Sequence, residues 1–333
     1  MTDASGREPS VSVALGTHNG ARYLGAQLAS VLAQSRPVDE IVLSDDASAD
    51  DTVALAERLV AVHRAAGSRV ELVVLRNRPA LGVTANFEQA LRTASGEFIA
   101  LCDQDDVWHT DRVERALRAF DERPALQLVA ADARLVDAEG AELPASLFET
   151  LGVTPELLAR VRAGGATAEL LKRNLFTGAT MMVRRELVER AVPFPTSWVH
   201  DEWLAMVASL TGGVGVLTEP LIDYRQHGAN QIGVTELGLG GKFGRLRAPR
   251  TERNSRLLAR ARDLADRVPD LAPQDADTQR RVREKLAHEV ARSALPTSRT
   301  ARVAPVLREW RSGRYSAFGR GAQDVLRDLV QPV

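Results

Sequence analysis

The chain has 333 residues, 44% of them hydrophobic and 26% charged, with a formal net charge of -1. This is the composition of a folded domain with room for a large core and an appendage, and it excludes a low-complexity or disordered polymer. The single cysteine, Cys102, excludes an intrachain disulfide, and no apolar run of about 18 residues reads as a membrane-spanning helix.

The N-terminal MTDASGREPS is polar and lacks the basic and apolar regions of a signal peptide. Residues 1–9 are therefore expected to be disordered and the chain cytoplasmic. Cut near Gly240, the first part is acidic by roughly 11 charges and the rest basic by roughly 10, almost all arginine, so the two parts are expected to do different work.

In chain order, the first half repeats one pattern of a short β-rich run, a polar turn and a helix-periodic segment. The runs are VSVALGT (11–17), EIVLSDD (40–46), VELVVLRN (70–77), EFIALCD (97–103) and LQLVAADARLVD (126–137). Helical spacing fills 24–34, 51–66, 84–93 and 111–121, with Ser48 read as the cap of the second helix. Such alternation predicts an α/β fold, a largely parallel sheet with helices on both faces. Beyond it, 155–173 reads as helix, 180–184 as a strand, 201–209 as a helix beginning at HDEW, and 212–224 as two short strands around Pro220. Residues 228–244 are rich in glycine, and 251–333 is Arg/Ala/Leu-rich helix interrupted by Pro269, Pro273, Pro296 and Pro305.

Open α/β sheets bind ligands beyond the carboxyl ends of their strands. Thr17, Asn19, Asp45, Asp46 and the acids of 103–106 all fall at such ends and converge on one edge. In LCDQDDVW, Asp103, Asp105 and Asp106 follow a buried strand directly. Acids at i and i+2 on a loop reach one hard cation, and an oxygen-rich site suits Mg²⁺ or Mn²⁺ bridging a diphosphate. The bland alternative is a solvated turn capping the next helix; the mutual repulsion of three carboxylates at a buried strand end favours a bound cation.

Asp45-Asp46 reads either as turn residues or as acceptors for a ribose hydroxyl or base N–H. A dinucleotide fingerprint is absent, because GTHNGARYLG lacks the GxGxxG spacing. Asp201 in WVHDEWLA reads as a helix cap or, beside His200, Trp198 and Trp203, as a general base. His227 lies between a strand end and the glycine-rich stretch, where a structural histidine and a ligand are both open.

Seven motifs in order, VALGTHNGARYLGAQLASVLAQS, DEIVLSDDASADDT, NRPALGVTANFEQAL, GEFIALCDQDDVW, NLFTGATMMVRREL, HDEWLA and YRQHGANQIG, resemble the family 2 glycosyltransferases, most of all their rhamnosyltransferase-like branch. The resemblance covers residues 10–233. It implies a GT-A fold over 10–240, followed by a basic helical C-terminal region at 241–333.

The resemblance also implies roles. Thr17, with Asp45 or Asp46, faces the nucleotide's base and ribose, and Asn19 joins the donor-binding set. Asp103 and Asp105 take the DxD positions toward ribose and divalent metal, Asp106 extends them toward metal or donor sugar, and His227 reaches metal or diphosphate. Asp201 stands at the catalytic base, with Glu202 beside it where the family more often has Trp. Where the family has Gly this chain has Ala47, and a turn needing positive φ would strain it, so a different local geometry is expected there.

The implied activity is inverting transfer of a sugar, rhamnose first among those to test, from a nucleotide-diphospho-sugar to a hydroxyl of a saccharide or lipid-linked saccharide in cell-surface polysaccharide synthesis, with Mg²⁺ or Mn²⁺ and with 228–244 closing over the donor. Two other classes stand beside it: a sugar-phosphate nucleotidyltransferase, whose Gly-rich, Lys-bearing triphosphate loop is absent, and a non-catalytic nucleotide-sugar-binding relative. The basic tail is expected to pack on the body or a second subunit, giving a homodimer, or to touch anionic lipid at the inner face of the cell membrane. Nucleic acid is not an expected partner.

Overall fold

The computed structural model describes residues 8–227 and 249–332. The expected disorder of 1–9 therefore falls almost entirely, and the expected closing segment 228–244 wholly, outside the described residues. The chain divides into two compact units, residues 8–164 with 175–227 and residues 165–174 with 249–332.

In the first unit β1 (Val11–Thr17), α1 (Ala21–Leu32), β2 (Glu40–Asp45), α2 (Thr52–Ala65), β3 (Glu71–Arg76), α3 (Val83–Thr93) and β4 (Phe98–Cys102) alternate as their periodicities predict. A two-residue β5 (Val107–Trp108) and α4 (Arg112–Glu122) follow, then β6 (Leu128–Val136), β7 (Glu142–Ser146), α5 (Leu147–Leu151) and α6 (Pro155–Arg160). After α7 (Ala166–Leu170), which belongs to the second unit, come β8 (Met181–Arg184), α8 (Arg185–Ala191), α9 (His200–Thr211) and β9 (Val214–Arg225).

The strands form one mixed sheet in the order β3-β2-β1-β4-β8-β6-β9-β5, with β7 on β6. From β3 to β4 all pairings are parallel. β2 and β4 are buried on every residue, as strands covered on both faces must be, and α1 buries Leu24, Leu28 and Val31 at helical spacing. Antiparallel β8 then separates β4 from β6, while β6 and β9 run parallel. β9 is one strand rather than two short ones: its ladder with β6 slips at Pro220 and resumes, so the proline bends the strand without ending it.

Two features of this topology build the site. Strand order reverses at β1, which has β2 on one side and β4 on the other, and open α/β sheets bind ligands outside the carboxyl ends at such a point. Short β5 pairs antiparallel with β9, Val107 opposite Asp223 and Trp108 opposite Ile222, which pins the acidic loop 103–106 beside the end of β9.

The second unit is helical: α7, α10 (Arg250–Leu271), α11 (Ala276–Ser293), α12 (Arg299–Arg311), α13 (Arg314–Phe318) and α14 (Ala322–Val330). Its apolar cluster is small, Leu295, Val306 and Tyr315 with Val325 and Leu329 against them. Beside it lies a charged interior in which Asp328 accepts from Arg292 Nε at 2.7 Å and from the Tyr315 hydroxyl at 2.9 Å, and Glu289 pairs with Arg292 and Lys285. Pro273 and Pro296 separate helices as expected, but Pro269 and Pro305 lie inside α10 and α12. Pro269 is exposed and Pro305 half-exposed, so the carbonyls they leave without partners are near water.

Candidate functional site

At the end of β1, Thr17 faces Asp45 in register across the β1–β2 ladder, and its hydroxyl donates to Asp45 Oδ1 at 2.9 Å. Asp45 Oδ2 accepts the Ser48 N–H at 3.0 Å, so Ser48 braces Asp45; Asp51, not Ser48, precedes α2. A cavity of about 190 Å³ opens next to this pair, lined by Asp45, Ser48, Asp50, Arg76, Asn77 and Arg78 among others. Arg76 and Arg78, at and after the end of β3, escaped the sequence reading because an arginine at a strand end carries no motif.

Asp46 and Asn19 are engaged by the loops themselves. Asp46 accepts the N–H groups of Leu81 and Gly82 at 2.6 and 2.9 Å, anchoring the entry to α3. Asn19 Oδ1 accepts the Ala49 N–H at 2.8 Å, tying the β1 loop to the β2 loop. The turn between them keeps a left-handed backbone at Ala47, φ +64°, so the expected change of geometry does not occur.

The acidic loop is held from three sides. Gln104 exchanges two hydrogen bonds with the backbone of His18, accepting its N–H at 2.8 Å and donating to its carbonyl at 3.1 Å. A Cβ on Gly20 would come within 2.2 Å of that Gln104 amide, which is why the first loop has glycine there. From β9, the Arg225 N–H donates to Asp106 Oδ1 at 3.0 Å and its Nε to the Asp105 carbonyl at 2.9 Å. Arg225 also lies over the Tyr23 ring, on which His227 stacks at 4.8 Å, and His227 Nε2 meets Asp105 Oδ2 at 2.8 Å. From below, buried Arg112 of α4 donates to the carbonyls of Leu101 and Met181 and stacks on Trp108.

Asp201, in the first turn of α9, accepts the Gly178 N–H at 3.2 Å. The preceding His200 is buried, stacks on Phe87 at 4.1 Å, and has no hydrogen-bond partner on either ring nitrogen. Its Nε2 would lie 2.8 Å from a Cβ on Gly178, so glycine is required for this approach. Trp203 is core: it is fully buried, with its indole N–H on the Ala191 carbonyl at 2.8 Å.

Electrostatics joins β4 to α9. Burial, then the charges of Asp105 and Asp201, push the Asp103 carboxyl up to about 7, against the pull of Arg112. Burial, then Asp103 and Asp105, push Asp106 well above the carboxylate range. Tyr224 at the end of β9 is raised by burial and by the same four acids, Asp103, Asp105, Asp106 and Asp201. The three loop acids and Asp201 thus feel one another's charge, His227 pairs with Asp105, and Thr17 and Asp45 sit at the ends of β1 and β2.

The residues suit a divalent cation. Asp106 Oδ2 is buried with no hydrogen-bond partner, and repulsion within the cluster is relieved by a positive charge. Among the described residues no group of three or more His, Cys, Asp or Glu side chains is arranged to hold a metal ion. Mg²⁺ and Mn²⁺ need fewer protein ligands than that, since they are commonly bound through one or two carboxylates plus substrate phosphates and water.

The family model for Glycosyl transferase family 2 matches residues 12–190, more than half of the chain. The chain belongs to glycosyl transferase family 2. An uncharacterized glycosyltransferase of Nostoc sp. is 25% identical over 66% of this chain and 66% of its own length. A UDP-Glc:alpha-D-GlcNAc-diphosphoundecaprenol beta-1,3-glucosyltransferase of Escherichia coli, WfgD, is 34% identical over 31% of this chain and 38% of its own. The mannosyltransferase PcManGT of Pyrobaculum calidifontis, solved with GDP-Man and Mn²⁺, superposes with a TM-score of 0.53 at 19% identity, covering 97% of this chain and 86% of that one. The match spans 57–66% of the first curated relatives' lengths. The fold is the GT-A fold of nucleotide-sugar transferases, with a helical C-terminal region. Among the described residues no helix is long and apolar enough to cross a membrane.

Proposed function

We propose that this family 2 glycosyltransferase transfers a sugar with inversion from a nucleotide-diphospho-sugar to a hydroxyl of a saccharide or lipid-linked saccharide in cell-surface polysaccharide synthesis. One observation carries the reading: Asp201, at the start of α9, lies near enough to the acids ending β4 to raise Asp103. That closeness supports a reading in which the acids that bind the donor adjoin the base for the acceptor. The Escherichia coli relative's diphosphoundecaprenol substrate supports a lipid-linked acceptor.

In this reading the nucleoside lies along the ends of β1 and β2, against Thr17 and Asp45, in the cavity bordered by Arg76 and Arg78. Asn19 and Asp46 shape that end through the loop contacts they make. Asp103 and Asp105, with His227 beside Asp105, would hold Mg²⁺ or Mn²⁺, whose charge when bound offsets that building on the departing diphosphate. Asp106 faces metal or donor sugar.

Asp201 takes the acceptor hydroxyl's proton as the oxygen attacks the anomeric carbon from the face opposite the diphosphate. A new glycosidic C–O bond forms, the bond to diphosphate breaks, and the proton remains on Asp201. A single displacement inverts the configuration and needs only one proton-transfer carboxylate. The chain works at the cytoplasmic face of the cell membrane, which it contacts through its basic C-terminal region, and dTDP-rhamnose is the first donor to test.

The test separates binding from chemistry. Asp105→Ala is expected to abolish transfer and weaken metal-dependent nucleotide binding at least about tenfold. Asp201→Asn is expected to reduce transfer by about a hundredfold or more while leaving nucleotide binding intact. Calorimetry with nucleotide and Mn²⁺, beside a transfer assay, reads both. Full transfer by Asp201→Asn, with loss instead in Glu202→Gln, would move the base to Glu202, and pyrophosphate release from a nucleoside triphosphate and sugar phosphate would make the chain a nucleotidyltransferase.

A further inference from the structure

In the second unit the last helices bury their acidic residues beside the small apolar cluster, to which the final helix adds Val325 and Leu329. Beyond Leu295 the described chain carries three acidic residues, Glu309, Asp324 and Asp328, at 9%, 5% and 0% exposure. Each is consumed inside: Glu309 by His288, Asp324 by Arg253 and the Arg320 N–H, and Asp328 by Arg292 and Tyr315. α14 accordingly turns Asp324 and Asp328 inward, while Leu326 and Val330, one turn apart, stand outside at 52% and 37% exposure.

α12, packed against α14, repeats the arrangement. It buries Arg302, Val306 and Glu309 and exposes Val303 and Trp310, two turns apart on one side, at 45% and 51%. Arg299, Arg308 and Arg311 of α12 and Arg320, just before α14, are also exposed. The outside of α12–α14 is thus apolar and cationic, and among the described residues 295–332 it shows no exposed carboxylate.

We infer that this face docks on an anionic lipid surface, with Trp310, Leu326 and Val330 entering the interface and the arginines lying among the headgroups. Exposed apolar side chains supply insertion energy, and each surface arginine adds attraction to anionic lipid. Burying every acid removes the charges that such a surface would repel. A second copy of the same face fits worse, because isologous pairing sets arginine against arginine. A nucleic acid would use the arginines but would leave Leu326 and Val330 against phosphates. The inference deepens the membrane contact proposed above by naming its face, and its test uses neither donor nor acceptor, so an incorrect substrate assignment leaves it standing.

The experiment is co-sedimentation of the full chain with vesicles of phosphatidylcholine alone or mixed with phosphatidylglycerol. The wild type is expected to pellet with the anionic vesicles, about tenfold less with the neutral ones, and less as salt is raised. Trp310→Glu/Leu326→Glu and, separately, Arg308→Gln/Arg311→Gln should each lower partitioning about tenfold while circular dichroism and nucleotide binding stay as in the wild type. Absence of pelleting, equal partitioning onto both vesicles, or wild-type binding by both variants would overturn it. So would light scattering that finds a dimer dissolved by Trp310→Glu/Leu326→Glu with no vesicle binding, or salt-sensitive binding to duplex DNA in preference to vesicles.

Discussion

Ala47 stands where a glycine would cost least. At φ +64° its Cβ crowds the following carbonyl, a penalty of about 1–2 kcal/mol for an L-residue. The backbone accepts it because both neighbours are fastened: Asp45 holds the Ser48 N–H, and Asp46 holds Leu81 and Gly82. These contacts over-determine the turn, as a strained backbone requires. Ala47→Gly relieves the strain but loosens the unfolded chain by about 0.4–1 kcal/mol, so a net gain of about 1 kcal/mol is expected. Urea unfolding measures it; unchanged or reduced stability would mean the turn is not strained in solution.

Among the elements, β9 organises the acidic loop more than the loop organises itself. Arg225, at its last position, holds Asp106 through its N–H and the Asp105 carbonyl through its guanidinium, and it reaches the carbonyls of Asp137 and Ala138 as well. Arg225→Ala keeps the N–H bond but frees the carbonyl side, so the donor KM is expected to rise about tenfold with kcat changed far less. Arg225→Lys should not rescue it, since an ammonium lacks the fork that spans these carbonyls. A fall in kcat at unchanged KM would argue that Arg225 acts on the reacting groups and not through the loop.

The same strand marks where sequence reading stopped. β1, β2 and β4 are legible because burial on both faces leaves nearly unbroken apolar runs, and the acids behind them are legible because a charge at the end of such a run stands out. β7 is half-exposed, and its ELPAS is only five residues long with Pro144 at its centre; it is a strand because β6 pairs with it, a reason its own letters do not contain. β5 has two residues, and Arg225 is one arginine among many. α14 has apolar residues at 325, 326, 329 and 330, and its letters do not say that Val325 and Leu329 pack inward beside Asp324 and Asp328 while Leu326 and Val330 stand outside.

Over the whole molecule, each unit buries a histidine that is stable only when neutral. Burial lowers His200 in the first unit to about 3. In the second, burial and the charges of Arg292 and Lys285, with Arg314 adding to them, lower His288 to about 2, although Glu309 bonds its Nδ1 and Asp324 pulls the other way. In the unfolded chain both imidazoles take up a proton near pH 6.5. Below that the unfolded state binds more protons, so this part of the stability is complete above about pH 6.5 and falls as pH drops toward 3. Asp103 and Asp106 work in the opposite sense, because their raised carboxyls bind protons first in the folded state, and a raw pH profile mixes the two. Differences between profiles separate them. Wild type measured against His200→Leu, which cannot titrate, should lose about 2 kcal/mol of relative stability between pH 7 and pH 5, and so should wild type against His288→Leu. Denaturant midpoints at both pH values give the comparison. Parallel profiles for wild type and His200→Leu would mean that this ring finds water or a partner when charged, and that the stack on Phe87 opens where the folded structure keeps it closed.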